Sequence, residues 1–218
     1  MQEDTLKQFL PATESWFRKT FGEPTKIQRE AWPAIADGKH VLVSAPTGTG
    51  KTLSAFLVFI DQLGGLAERG ELKEELYVIY VSPLKSLAGD IRENLRKPLE
   101  GIGAEAPGES KAESRPGNPF IGQIQAAIRT GDTPQKERQR MVKHPPHILI
   151  ITPESLYLML TSKSGRQVLK TAKAIILDEL HALIDTKRGA HLMLSVARLD
   201  KLCGRRLQRI GLSATIEP

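Results

Sequence analysis

The feature that most constrains this chain is a repeating alternation of two kinds of segment. Six short, mostly apolar runs are spaced along it: His40–Ser44, Leu76–Val81, Ile124–Ile128, His147–Ile151, Ala174–Leu177 and Arg209–Leu212. Helical stretches separate them, and Thr52–Leu63 is apolar almost all round, as a buried helix must be. Strands without polar alternation cannot leave one face in water. Set between helices, they predict an α/β fold with a mostly parallel sheet covered by helices on both faces. Polar clusters follow the strands, at the sheet edge where open α/β sheets bind ligands.

The chain has 218 residues, enough for one domain with its own core, and residues 1–218 are read as one. Residues 1–39 carry helical patterns, at Leu6, Phe9 and Leu10 and again over Gln28–Ala36, expected to pack beside the site described below. Gly101–Asn118 is rich in Gly, Pro, Glu and Ser without periodicity, which predicts a flexible surface loop. Cys203 is the single cysteine, so no disulfide forms within the chain, and a reducing, cytoplasmic setting is expected. Met1–Pro11 lacks the apolar core of a signal peptide, and the longest apolar run, Ala55–Ile60, is too short to span a bilayer, so no membrane partner is expected.

The net charge of +6 is unevenly distributed. Residues 1–120 hold 15 Lys+Arg against 17 Asp+Glu, and residues 121–218 hold 16 against 8. A basic half suits a polyanion such as nucleic acid, and a solvated basic surface explains it equally well. The few aromatic residues argue against a base-stacking platform and in favour of backbone contact.

The run Ala45-Pro46-Thr47-Gly48-Thr49-Gly50-Lys51-Thr52 joins the first strand to the apolar helix. Its glycines let the backbone wrap closely round phosphates, and the loop N–H groups with the helix N-terminus attract anions. In such a loop Lys51 reaches the terminal phosphates and Thr52 ligates Mg²⁺. Asp178-Glu179-Leu180-His181 ends the fifth strand. There one acid can hold Mg²⁺ and the next can deprotonate a water, although two acids in that place also serve as a helix N-cap. Within Phe21–Gln28, the Gln28 amide has the donor and acceptor that recognise adenine, and a helix N-cap explains Thr25 equally well. Pro83-Leu84-Lys85-Ser86, Arg129-Thr130-Gly131-Asp132-Thr133 and Thr152-Pro153-Glu154-Ser155 each follow a strand. They offer hydroxyls, N–H groups or cations to a phosphate backbone, and ordinary strand-to-helix capping accounts for each one taken singly. Ser213-Ala214-Thr215 follows the last strand and has no specificity alone.

Taken in order, these pieces resemble superfamily 2 helicases from Phe21 to Thr215. The nucleotide loop is similar to motif I, Asp178–His181 to motif II and Ser213–Thr215 to motif III. Phe21–Gln28 is similar to the Q motif, and the three strand-end clusters to the nucleic-acid motifs. Asp178-Glu179-Leu180-His181-Ala182-Leu183 followed by Thr186–His191, together with Glu23–Pro33, is similar to the large helicase-related (Lhr) proteins. A motif II ending in His sets the chain apart from DEAD-box RNA helicases.

The resemblance implies a RecA-like P-loop NTPase domain, the first of two. The implied function is an ATP-dependent 3′-to-5′ DNA helicase or translocase acting on single-stranded DNA in repair or recombination. An RNA or RNA–DNA hybrid helicase is the alternative, and a nucleic-acid-binding module without unwinding is a third reading. ATP and Mg²⁺ are the implied cofactors. Thr25 and Gln28 would read adenine; Thr47, Gly48, Thr49, Gly50, Lys51 and Thr52 would hold the phosphates, with His181 also at the nucleotide; Thr52 and Asp178 would hold the metal; Lys51, Asp178 and Glu179 would be catalytic, Glu179 by activating water. His181, Ser213 and Thr215 would couple nucleotide state to the strand, gripped by Pro83, Lys85, Arg129, Thr130 and Thr152. A second RecA-like domain with its arginine finger is expected in cis and is not in these 218 residues. No Asn-Lys-x-Asp segment marks a preference for GTP, and no acceptor lid marks a small-molecule kinase.

Overall fold

The structure, a computed structural model, describes residues 4–46, 49–83, 87–105 and 124–214. Among them six strands form one parallel sheet: β1 (Val41–Ser44), β2 (Val78–Val81), β3 (Ala126–Arg129), β4 (Ile148–Ile151), β5 (Ala174–Leu177) and β6 (Gln208–Ser213). Their order across the sheet is β1, β6, β5, β2, β4, β3. Every expected strand is present and starts within two residues of its expected position.

The strands of the middle, β2, β4 and β5, are buried at every residue, as their unbroken apolar character requires. Successive side chains alternate between faces. Val78, Tyr80, Ile148, Ile150 and Ile176 enter a core shared with α1 (Pro11–Phe21), α2 (Lys26–Ala36), α3 (Lys51–Glu68) and α4 (Leu87–Glu105). Ile79, Val81, Leu149, Ile151 and Ile175 enter the opposite core, closed by α5 (Gln135–Lys143), α6 (Pro153–Thr161), α7 (Lys163–Leu169) and α8 (Lys187–Cys203). Each fully buried Val, Leu or Ile contributes about 1.5–3 kcal/mol, so the sheet is held from both sides.

The N-terminal region differs in detail from the expected pattern. Leu6–Leu10 does not form a continuous helix: a 3₁₀ turn spans Thr5–Gln8, and Phe9 and Leu10 are extended. Pro11 is the reason, since the residue before a proline is pushed out of the helical region while proline itself suits a first helical turn. The Leu10 N–H instead donates to Asp61 Oδ1 at 2.9 Å, fastening α1 to α3. Phe9 and Phe17 meet the buried Trp32 edge-on at 5.0 and 5.2 Å, which locks α1 onto α2.

The first five residues of the loop expected over 101–118 are helical. Helix α4 runs on to Glu105, where Ile102 is buried and the Glu105 carboxylate accepts from Ser15 at 2.8 Å and Lys19 at 2.6 Å. Packing against α1 overrides the low helix propensity of Gly101 and Gly103. Residues 106–118 lie outside the described residues.

Candidate nucleotide-binding site

The parallel register brings the strand ends to one edge. Ser44 pairs with Ser213, and Leu177, Val81, Ile151 and Arg129 are aligned across four strands. Backbone bonds continue the ladder past the strands: Ala45 N–H to Ser213 at 3.2 Å, Asp178 N–H to Val81 at 2.9 Å and Ser82 N–H to Ile151 at 3.0 Å. The polar residues that follow β1, β2, β4, β5 and β6 therefore lie along a single rim.

At β1 the chain turns through Pro46 and Thr49, whose hydroxyl donates to the Pro46 carbonyl at 2.8 Å. Gly50 has a left-handed backbone with φ of 85°. That conformation favours glycine, and a Cβ there would also come within 2.9 Å of Gln28 Nε2. Helix α3 starts at Lys51, with Thr52 next, and its free N–H groups and positive dipole end face the rim. Lys51 is largely buried and its ammonium donates to the Ala45 carbonyl. Thr47 and Gly48 lie outside the described residues.

At β5 the two acids take different geometries. Asp178 is 7% exposed. Its Oδ2 accepts from the Tyr80 hydroxyl at 2.5 Å and its Oδ1 from the Glu179 N–H at 2.9 Å. Burial pushes the Asp178 carboxyl up, and the Glu179 charge adds to this, while Tyr80 and Lys51 pull it down. Glu179 does not cap an α-helix; it sits in the left-handed region at φ 52°, ψ 42°, and opens a 3₁₀ turn over Leu180–Ala182. That turn seats Leu180 against β6 at Gly211, where a Cβ would lie 2.5 Å from the Leu180 Cδ1.

His181 follows and joins the acid to the last strand. Its Nδ1 accepts from the Ala214 N–H at 3.0 Å, and its Nε2 lies 3.1 Å from Glu179 Oε2. With Nδ1 accepting, the hydrogen-bond network assigns the ring proton to Nε2, aimed at the Glu179 carboxylate. Ser213 is buried and its hydroxyl donates to the Ala214 carbonyl at 2.9 Å. Thr215 lies outside the described residues.

Gly50, Lys51, Thr52, Asp178 and Glu179 line one wall of a cavity of about 710 Å³, with Phe21 at the end of α1 among the residues facing them. The volume suits a nucleotide-sized ligand. The Thr52 hydroxyl and Asp178 carboxylate are hard oxygen donors on the same cavity, and among the described residues the hydrogen-bond donors to Asp178 are the neutral Tyr80 hydroxyl and Glu179 N–H. That donor set fits Mg²⁺.

Other expected site residues divide clearly. Thr25 and Gln28 form a complete capping box on α2: the Thr25 N–H donates to Gln28 Oε1 at 2.9 Å and the Gln28 N–H to Thr25 Oγ1 at 3.3 Å. Gln28 is 4% exposed, and its Nε2 faces Gly50. Thr152 caps α6, with its hydroxyl bonded to Ser155 and 3% exposed. Pro83 is buried at the end of β2, and Lys85 lies outside the described residues. Thr130 belongs to a latched loop: its N–H donates to Thr133 Oγ1 at 2.8 Å, and Arg138 donates to the Thr133 and Gly131 carbonyls, each at 2.7 Å. Arg129 stands half-buried beside that latch, and burial together with the Arg138 charge lowers its pKa. Arg188, in the first turn of α8, is held by Glu154 at 2.6 and 3.1 Å. Sequence reasoning missed Tyr80 and the Ala214 N–H. A hydroxyl inside the apolar β2 run was the available signal for Tyr80; none marked a backbone amide.

The DEAD/DEAH box helicase family model matches residues 25–218. The chain is 47% identical over 214 residues to the Lhr helicase/uracil glycosylase of Escherichia coli, covering 95% of this chain and 13% of that protein. It is 49% identical over 208 residues to the ATP-dependent helicase Lhr-Core of Methanothermobacter thermautotrophicus, covering 95% of this chain and 23% of the relative. Among solved structures, Mycobacterium smegmatis helicase Lhr bound to ssDNA and AMP-PNP superposes with a TM-score of 0.85 at 47% identity, over 99% of this chain and 26% of that one. The DEAD-box helicase Mss116 shares the fold, with a TM-score of 0.78 at 19% identity. The chain thus spans about an eighth to a quarter of the length of these Lhr relatives. With a glycine-containing loop, an acid pair and a His-linked last strand on one rim, the chain belongs to the DEAD/DEAH box helicase family and is of Lhr type.

Proposed function

We propose that this chain is the ATP-binding motor domain of an ATP-dependent helicase or translocase that moves 3′ to 5′ on single-stranded DNA and serves DNA repair or recombination. The observation that carries the reading is the convergence of Lys51, Thr52, Asp178 and Glu179 on one cavity, with His181 joining Glu179 to the backbone of the last strand. In this reading Lys51 and the α3 N-terminus hold the terminal phosphates of ATP. Thr52 and Asp178 hold Mg²⁺, which when bound neutralises charge on the phosphate oxygens. Glu179 takes a proton from the attacking water as the water oxygen bonds to the γ-phosphorus and the bond to the ADP oxygen breaks. His181 keeps the Glu179 carboxylate aimed and passes its displacement to Ala214.

Support for the nucleic-acid partner comes from the basic half of the chain, from half-buried Arg129, and from the Mycobacterium smegmatis relative, whose structure holds ssDNA. Among the described residues no arginine lines the cavity. An arginine finger contributes about 10³–10⁵ in rate in related NTPases, so the 218-residue chain by itself binds nucleotide and turns it over slowly.

The test is titration of the chain with a fluorescent ATP analogue and Mg²⁺. Lys51→Ala is expected to weaken binding by about tenfold or more, the worth of a charge-assisted bond. Equal binding by wild type and Lys51→Ala would place the nucleotide elsewhere. Anisotropy with ssDNA and ssRNA of one sequence discriminates the partners, and tighter RNA binding would favour the RNA helicase reading.

A further inference from the structure

Tyr80 is fully buried on β2, in a strand whose other residues are aliphatic. Packing alone would be satisfied there by phenylalanine. Its ring stacks on Phe56 of α3, with centroids 4.7 Å apart and planes inclined by 15°. Phe56 lies one helical turn after Thr52, so the stack sets Tyr80 against the first turn of the phosphate-loop helix. The hydroxyl donates to Asp178 Oδ2 at 2.5 Å, and the Thr52 side chain is a further polar neighbour. Since the Glu179 N–H holds Oδ1 at 2.9 Å, both carboxylate oxygens of Asp178 have a fixed donor and the carboxylate plane cannot rotate.

We propose that Tyr80 is a positioning residue for the metal-binding oxygens: its hydroxyl, stacked in place on Phe56, fixes the Asp178 carboxylate at the right attitude toward Thr52. Tyr80 does not ligate; it acts through Asp178. Of the two residues that would hold Mg²⁺, one comes from the phosphate loop and the other from the end of β5, 126 positions later in the numbering. Tyr80 has both as polar neighbours, Asp178 through a direct hydrogen bond. Outer-shell donors of this kind orient ligands and typically change metal affinity by about 10–100-fold when removed.

The inference rests on the nucleotide-site reading, and the experiment separates the two. Tyr80→Phe keeps the ring and the Phe56 stack and removes only the hydroxyl. Three quantities are measured on the whole chain: urea stability, binding of a fluorescent ATP analogue in EDTA, and the Mg²⁺ concentration at half-maximal enhancement of that binding. The expected result is unchanged binding in EDTA with a Mg²⁺ midpoint raised about tenfold. Reduced stability with an unchanged Mg²⁺ midpoint overturns the proposal and leaves Tyr80 a packing residue. If Tyr80→Phe fails to fold, Phe56→Leu serves instead. It frees the ring while keeping the hydroxyl, so a raised midpoint supports the proposal and an unchanged one overturns it. A wild-type chain that binds the analogue without any response to Mg²⁺ overturns the metal-site reading and this inference with it.

Discussion

Glu179 delivers the proposed catalytic carboxylate from a left-handed backbone, φ 52° and ψ 42°, which an L-residue adopts at a cost of about 1–2 kcal/mol. Comparing Glu179→Gly with Glu179→Ala isolates that strain. Both variants lose the carboxylate and its 3.1 Å contact with His181, so the side-chain terms cancel between them. Alanine keeps the strained backbone. Glycine relieves it but has a more flexible unfolded chain, which offsets about 0.4–1 kcal/mol. The difference favours glycine by about 1 kcal/mol, or about 2–4 °C in melting temperature for a chain of this size. Urea and thermal melts at neutral pH read it directly, and neither variant should hydrolyse ATP. The exposed turn residue Asp185, at φ 58°, supplies a control away from the acid pair: Asp185→Gly should likewise exceed Asp185→Ala in stability. If Glu179→Ala proves as stable as Glu179→Gly, the backbone carries no strain and the functional argument for this conformation fails.

Two further outcomes are expected. Asp61 has its pKa raised by burial, so the folded state holds the proton more tightly than the unfolded chain and ionisation destabilises the fold as pH rises through and above the unfolded value. Asp61→Asn keeps an acceptor for the Leu10 N–H and should gain about 1 kcal/mol at neutral pH, a gain that fades on acidification; pH-dependent urea melts check it, and a gain independent of pH would contradict it. Arg129→Ala should weaken single-strand binding uniformly across sequences and reduce the slope of log affinity against log salt by about 1, whereas an unchanged slope would remove Arg129 from the phosphate contacts.

The strand expectations held because each rested on the apolar character of the run itself. The six apolar runs became strands because a segment with no polar alternation must be covered on both faces, and the parallel sheet follows from the helices between them. The N-terminal helix pattern broke at Pro11, and the expected loop start at Gly101 gave way to packing of α4 on α1, a contact that no window of neighbouring residues contains. Gln28 and Thr152 carried two meanings in the sequence, and the structure shows the capping role of each, since a cap needs only the adjacent turn.

The sequence by itself determined the alternation, the glycine-rich turn after the first strand, and the placement of acids and hydroxyls after strands. Those properties depend on residue type and on neighbours a few positions away. Only the tertiary structure decided which strand ends share a rim. The register aligns residues from distant parts of the chain, and no local pattern encodes it. It is the sheet order that puts Tyr80 against Asp178 and His181 under Ala214, and the packing of α2 on α3 that puts Gln28 beside Gly50. These long-range contacts turn separate strand-end residues into one cavity with a bound and aimed acid pair.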